Sequence, residues 1–160
     1  MRDMDRINKL IRHIQGVQET CTILAERLMA NGEFKFAKAL VANGLCHDNS
    51  KFFGAEWDHL SIDNADIPAL KLAIMQHNQT NEHHPEFWDN GIHGMPRIYL
   101  AELLCDWKSR SAERGTSLHE WIETEAMKRF NFTKDDAAYK TITEFAKLLL
   151  EPPLKSVTEL

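Results

Sequence analysis

Apolar positions recur at helical spacing along almost the whole chain. From about residue 3 to 30, Ile7, Leu10, Ile14, Val17, Cys21, Leu24 and Leu28 follow one another in alternating steps of three and four, one continuous stripe on a helix face. Asn31-Gly32 ends that helix. A second, about 33–47, carries Phe34, Ala37, Leu40, Val41 and Leu45, and is expected to project His47 and Asp48 from its last turn. Residues 49–68 show little periodicity. Phe52, Phe53 and Trp57 are expected to pack this connection onto the body, and Asp63, Asn64 and Asp66 before Pro68 read as a turn and helix cap. Further helices are predicted at about 68–78 (Leu70, Ala73, Ile74 and His77 on one face) and 96–112 (Ile98, Ala101, Leu104, Cys105). Another follows at 117–130, opened by the capping-box sequence Ser117-Leu118-His119-Glu120, and a last at 134–150, capped by Thr133. Pro152-Pro153 stops it, leaving 152–160 as a loose tail. The pattern predicts an all-α fold, one domain of about six helices over 1–151.

Composition narrows the classes of function. The 160 residues are 43% hydrophobic and 27% charged, enough for one unstapled core. A net charge of −5 with no Lys/Arg block makes nucleic acid an unexpected partner, while a small anion held by local positive charge stays open. Cys21, Cys46 and Cys105 form no CxxC pair, which fits a reducing compartment. With a charged start and no long apolar run, a cytoplasmic location is expected, with no membrane partner. The sequence leaves a homodimer open.

Histidine changes the picture. There are eight, five of them between His59 and His93. His13 lies at the edge of the first stripe. His77 points where the apolar residues of its helix point. His47-Asp48 ends a buried helix, where a carboxylate needs neutralising. His83 and His84 fall in an irregular segment that can aim neighbours at one point, whereas adjacent residues on a helix diverge by ~100°. Glu102 and Asp106 stand one turn apart, a repulsive spacing that a shared cation or an arginine such as Arg110 would offset, and Trp107 suggests a packed end. His59, His93 and His119 lack such context and read as surface. In chain order the candidates are His13, His47-Asp48, His77, His83-His84 and Asp106. For each one alone the ordinary reading is a boundary, core or surface residue; the set suggests divalent metal ligands.

That order resembles the HD-domain metal-dependent phosphohydrolases. His47-Asp48-Asn49-Ser50-Lys51 and His83-His84-Pro85-Glu86 are similar to stretches of the cyclic-dinucleotide phosphodiesterase branch. The glycine motif of that branch is missing, and His83 follows His77 by only six positions where that branch has a longer insert. A nearer resemblance is to an uncharacterised HD-like family of short phage and bacterial proteins, carried by His13-Ile14, His47-Asp48-Asn49-Ser50-Lys51, Asn81-Glu82-His83-His84-Pro85-Glu86 and Glu102-Leu103-Leu104-Cys105-Asp106-Trp107.

The resemblance implies an HD-like bundle around one or two divalent ions. His13, His47, Asp48 and Asp106 would hold the first. Asp48 would bridge to a second, completed by His77 and one of His83 or His84, with the other orienting a phosphate. Mixed imidazole and carboxylate ligands suit Mn²⁺, Fe²⁺, Co²⁺ or Ni²⁺, with Zn²⁺ not excluded. The expected function is hydrolysis of a small phosphate ester, a nucleotide or deoxynucleotide, by metal-activated hydroxide. Asp48, Lys51 and Glu86 would carry the catalysis, Lys51, Asn81 and His84 the substrate, and Glu56, Glu86 or Glu102 would orient ligand histidines. Two alternatives use the same ligands: a di-iron oxygenase of the inositol-oxygenase-like HD type, and a non-catalytic metal-stabilised module that binds a ligand or a host protein.

Overall fold

In the first helix, α1 (Asp3–Ala30), the alternating stripe becomes a wall: Ile14, Val17, Cys21, Leu24 and Leu28 are buried along its length. The computed structural model describes residues 3–60 and 66–151; the turn expected at Asp63-Asn64 and the tail beyond 151 lie outside them. Against α1 pack α2 (Phe34–Cys46), α5 (Arg97–Arg114) and α7 (Ala137–Leu150). Between α2 and α5 come the short α3 (Gly54–His59) and α4 (Ile67–Thr80). After α5 comes α6, residues 118–129, whose middle turn Trp121–Ala126 is π-helical. No strand occurs among the described residues, and the seven helices enclose one core through Leu24, Leu28, Leu40, Leu104, Ile142 and Phe145. No helix among them is long and apolar enough to cross a membrane.

Two close approaches set the helix spacing. A Cβ on Gly16 would lie 2.5 Å from Ser109 Oγ, so α1 and α5 meet there nearly backbone to side chain. A Cβ on Gly44 would lie 3.0 Å from Cys21 Cβ, so α2 sits directly on α1. Gly16 is one turn beyond His13, Ser109 one turn beyond Asp106, and Gly44 one turn before His47. The same contacts that close the core therefore draw three candidate residues together.

Several expectations are corrected. The buried face of α2 is Ala37, Leu40 and Gly44, with Phe34 and Leu45 exposed at 64% and 60%. A glycine at the contact lets the helix rotate toward Cys21, which carries Leu45 outward. His47 and Asp48 follow the end of α2 instead of lying in its last turn, because the helix stops at Cys46. The aperiodic connection holds a 3₁₀ turn (Asn49–Phe52) and α3. Trp57 packs under the Arg6 guanidinium, whereas Phe53 is 72% exposed. Ile74 on α4 faces outward, and His59 is half-buried. The last helix starts at Ala137 because Asp136 turns its carboxylate back onto the Thr133 N–H and hydroxyl, so Thr133 is the capped partner and not the cap. Asp66 does cap α4, accepting from the Ala69 N–H.

Gly44→Ala forces a methyl group into Cys21. Urea unfolding should show a loss of about 1–3 kcal/mol with an unchanged slope. A variant as stable as the parent would mean that α1 and α2 are free to separate.

Candidate metal centre

Just beyond α2 the backbone does something no regular helix can. His47 is extended (φ −53°, ψ 132°) and Asp48 is left-handed (φ 57°, ψ 13°). A left-handed non-glycine residue costs about 1–2 kcal/mol, and aspartate is among the few that tolerate it. The turn aims two consecutive side chains into one interior space. Both residues are almost completely enclosed, at 2% and 1% exposure.

Asp48 stands at the middle of a cluster of imidazoles. Its Oδ2 lies 3.3 Å from His13 Nε2 and 3.6 Å from His47 Nε2. Its Oδ1 lies 3.3 Å from His77 Nε2 and 3.6 Å from His83 Nε2. Asp106 Oδ1, from α5, closes the first side at 3.3 Å from His13 and 3.9 Å from His47. His84 Nε2 closes the second, 3.0 Å from His77 Nε2. In each of the sets Asp48-His77-His83-His84, His13-His47-Asp48 and His47-His83-Asp106 the inward nitrogen and oxygen atoms lie within 4.8 Å of one another. Every candidate ligand expected from the sequence thus reaches one place, and His83 and His84 both face it.

The outward ring nitrogens are held by carboxylates. His13 Nδ1 donates to Glu113 (2.7 Å), His47 Nδ1 to Glu102 (3.0 Å) and His77 Nδ1 to Glu56 (2.7 Å). Asn43, one turn before His47, donates to the other oxygen of Glu102, and the Ser50 hydroxyl donates to Glu56. With Nδ1 carrying the proton, Nε2 is left to face inward, the arrangement that orients metal-ligating histidines. Inside, the polar atoms lack partners. Among the described residues eight buried side-chain nitrogen and oxygen atoms make no hydrogen bond, and five of them are here: His13, His47 and His83 Nε2, Asp48 Oδ1 and Asp106 Oδ1. Such orphans are costly, and a divalent cation would satisfy them together.

Protonation follows from the same crowding. Burial opposes charge on His13, yet the Asp106 and Asp48 carboxylates outweigh it and raise that imidazole to about 9. Burial and the neighbouring imidazoles push His83 down to about 3 and His84 to about 2, so both keep a free lone pair. Burial would raise Asp48 and Asp106, but the adjacent imidazoles, joined at Asp48 by Lys51, hold both below the usual carboxylate range.

The chain belongs to DUF5662, a family of unknown function, with residues 2–148 matching. No curated protein and no solved structure matches it.

In this DUF5662 chain the remaining candidates divide. Lys51 Nζ contacts Asp48 Oδ2 at 2.5 Å and lines the cavity outside the cluster. Glu56 and Glu102 sit behind ligand histidines, as described. Glu86 does not reach one: it is exposed and pairs with Asn78 and Arg129, because the 3₁₀ turn Pro85–Phe87 points it away. Asn81 is tied to the His77 carbonyl (2.8 Å) and lies beside the Ser50 hydroxyl, bracing the end of α4. Sequence reasoning missed Glu113. Its signal was the run Glu102, Asp106, Glu113 at helical intervals of four and seven on α5.

Asp48→Ala should abolish metal uptake, measured by elemental analysis of purified protein, while exposed His119→Ala should leave it unchanged. Full metal content in Asp48→Ala would overturn the assignment. Glu113→Gln should weaken affinity about 10–100-fold without removing the site, read by competition with a fluorescent chelator. No change there would make Glu113 a bystander. Since α4 packs chiefly on α3 and the Pro85–Phe87 turn, chelator treatment should speed amide exchange in α4 more than in α1.

Proposed function

We propose that the protein is a metal-dependent phosphohydrolase acting on a small phosphate ester, a nucleotide or deoxynucleotide, and that it is related to the HD-domain enzymes. The observation that carries this reading is that Asp48 belongs to two ligand sets, with His13 and His47 on one side and His77, His83 and His84 on the other, beside a cavity. That cavity, about 490 Å³, is lined by His13, His77, His84, Asp106 and Lys51. His13, His47, Asp48 and Asp106 would hold one divalent cation, and Asp48, His77, His83 and His84 a second. Such a pair supplies a water acidified toward neutral pH and positive charge opposite the phosphoryl oxygens.

The chain's own groups supply orientation. Glu113, Glu102 and Glu56 fix the tautomers and directions of His13, His47 and His77. Glu102 acts twice, since its Oε1 also stands 3.5 Å from His83 Nδ1. Lys51 offers a point charge at the mouth, suited to a phosphoryl oxygen once cations take over its present partner Asp48. The nucleotide preference draws on a neighbouring pocket of about 190 Å³, walled by Trp107, Trp121 and Phe130 and reached past His84 and Asp106. An aromatic wall of this kind suits a planar base.

The test is phosphate release from nucleoside mono-, di- and triphosphates with Mn²⁺. Activity should vanish with chelator and fall at least about 100-fold in His83→Ala, against a wild-type-like His119→Ala. Protein purified with iron that forms product only with oxygen would replace hydrolysis by oxidation. Loaded protein that releases phosphate from no ester would leave a binding module.

A further inference from the structure

The cavity above the metal cluster has one basic wall that the cluster does not use. Arg110 and Arg114 stand one turn apart on α5, and Arg129 ends α6. All three line both the 490 Å³ cavity and the aromatic-walled pocket beside it. They therefore occupy the boundary between the space over His84 and Asp106 and the space beside Trp121 and Phe130.

Their charge is only partly compensated. Arg110 pairs with Glu113 at 3.0 Å and lies 3.9 Å from Asp106. Both carboxylates are already engaged with His13. Arg129 shares Glu86 with Asn78 and rests over the Phe130 ring. Arg114 has no carboxylate partner among the described residues. Like charges at this helical spacing repel modestly, in a protein whose net charge is negative. Guanidinium forks match phosphoryl oxygens in pairs, which an ammonium cannot do.

We propose that Arg110, Arg114 and Arg129 form a subsite for a second phosphoryl group of the substrate, distinct from the one placed at the metal cluster. The substrate class is then a bis- or polyphosphorylated compound. This rests on the phosphohydrolase reading for its first phosphate, but the arginine subsite is built from other residues and binds by itself.

The experiment compares adenosine 5′-monophosphate with adenosine 3′,5′-bisphosphate by calorimetry. The full chain is used both as purified and after chelator treatment. Wild-type protein should bind the bisphosphate about tenfold or more tightly than the monophosphate in both forms. Arg114→Gln/Arg129→Gln should cut that preference to within about twofold. Arg114→Gln alone, an exposed position, should lower it partway, and Arg114→Lys should restore less than the arginine. Lys128→Gln, adjacent in sequence but outside the cavity, should keep it. No preference in the wild type, or a preference that survives the double substitution, would overturn the subsite. A preference that depends on the arginines in a protein that releases no phosphate from any ester would sustain the subsite and remove the hydrolytic reading. Hydrolysis with no arginine-dependent preference would do the reverse.

Discussion

A buried carboxylate with one oxygen unpartnered is the constraint on which the arrangement depends. Asp48 has left water almost entirely, and a charge in that position is tolerated only when opposite charge or hydrogen-bond donors surround it. Here the neighbours are imidazoles, those of His13, His47 and His83 with unsatisfied inward nitrogens, together with a single ammonium from Lys51. A divalent cation bound between the imidazoles and the carboxylates, in place of Lys51, would satisfy these atoms together. The left-handed turn at Asp48 has the same explanation. Strain of that size persists where it places a group nothing else could place, and it puts His47 and Asp48 on one side of the chain.

The rest of the fold can be read as what brings that carboxylate its partners. Glycines 16 and 44 let α5 and α2 come close to α1, at levels one turn from the residues that must meet. Glu102 then ties α2 to α5 through Asn43 and His47 and reaches the segment carrying His83. Glu56 ties α3 to α4 through His77. Each outer carboxylate joins two chain segments as well as orienting a histidine, so metal binding at this cluster would be linked to folding. That linkage would be strongest for α4, whose outer face carries exposed Leu72 and Met75 and whose buried contacts are few beyond Ala73 and His77.

Much of this was legible in the sequence because helices announce themselves by period. The α1 stripe and the cap at Asp66 follow from spacing alone, and so does the inward aim of His77. The ligand histidines stood out because several lay where an apolar residue belonged. What stayed hidden depends on helix rotation and on single dihedral angles. Phe34 and Leu45 look like core residues until the Gly44–Cys21 contact turns α2. Glu113 pairs with Arg110 on its own helix, and its place behind His13 appears only when α1 and α5 are set side by side. The π-helical turn in α6 and the left-handed Asp48 leave no mark on hydrophobic periodicity, since both are imposed by tertiary packing. Glu86 misled for the same reason: its neighbours His83 and His84 face inward, but the 3₁₀ turn after them sends its own side chain to the rim.

X-ray absorption at the manganese edge of the protein loaded with Mn²⁺ addresses the shared-carboxylate centre most directly. The account predicts a mixed nitrogen and oxygen first shell with imidazole outer-shell scattering, and a metal–metal vector at about 3.5–4 Å, the separation usual for paired catalytic ions. An all-oxygen shell without imidazole scattering would contradict it, because the cation would then lie somewhere other than between His13, Asp48 and His83.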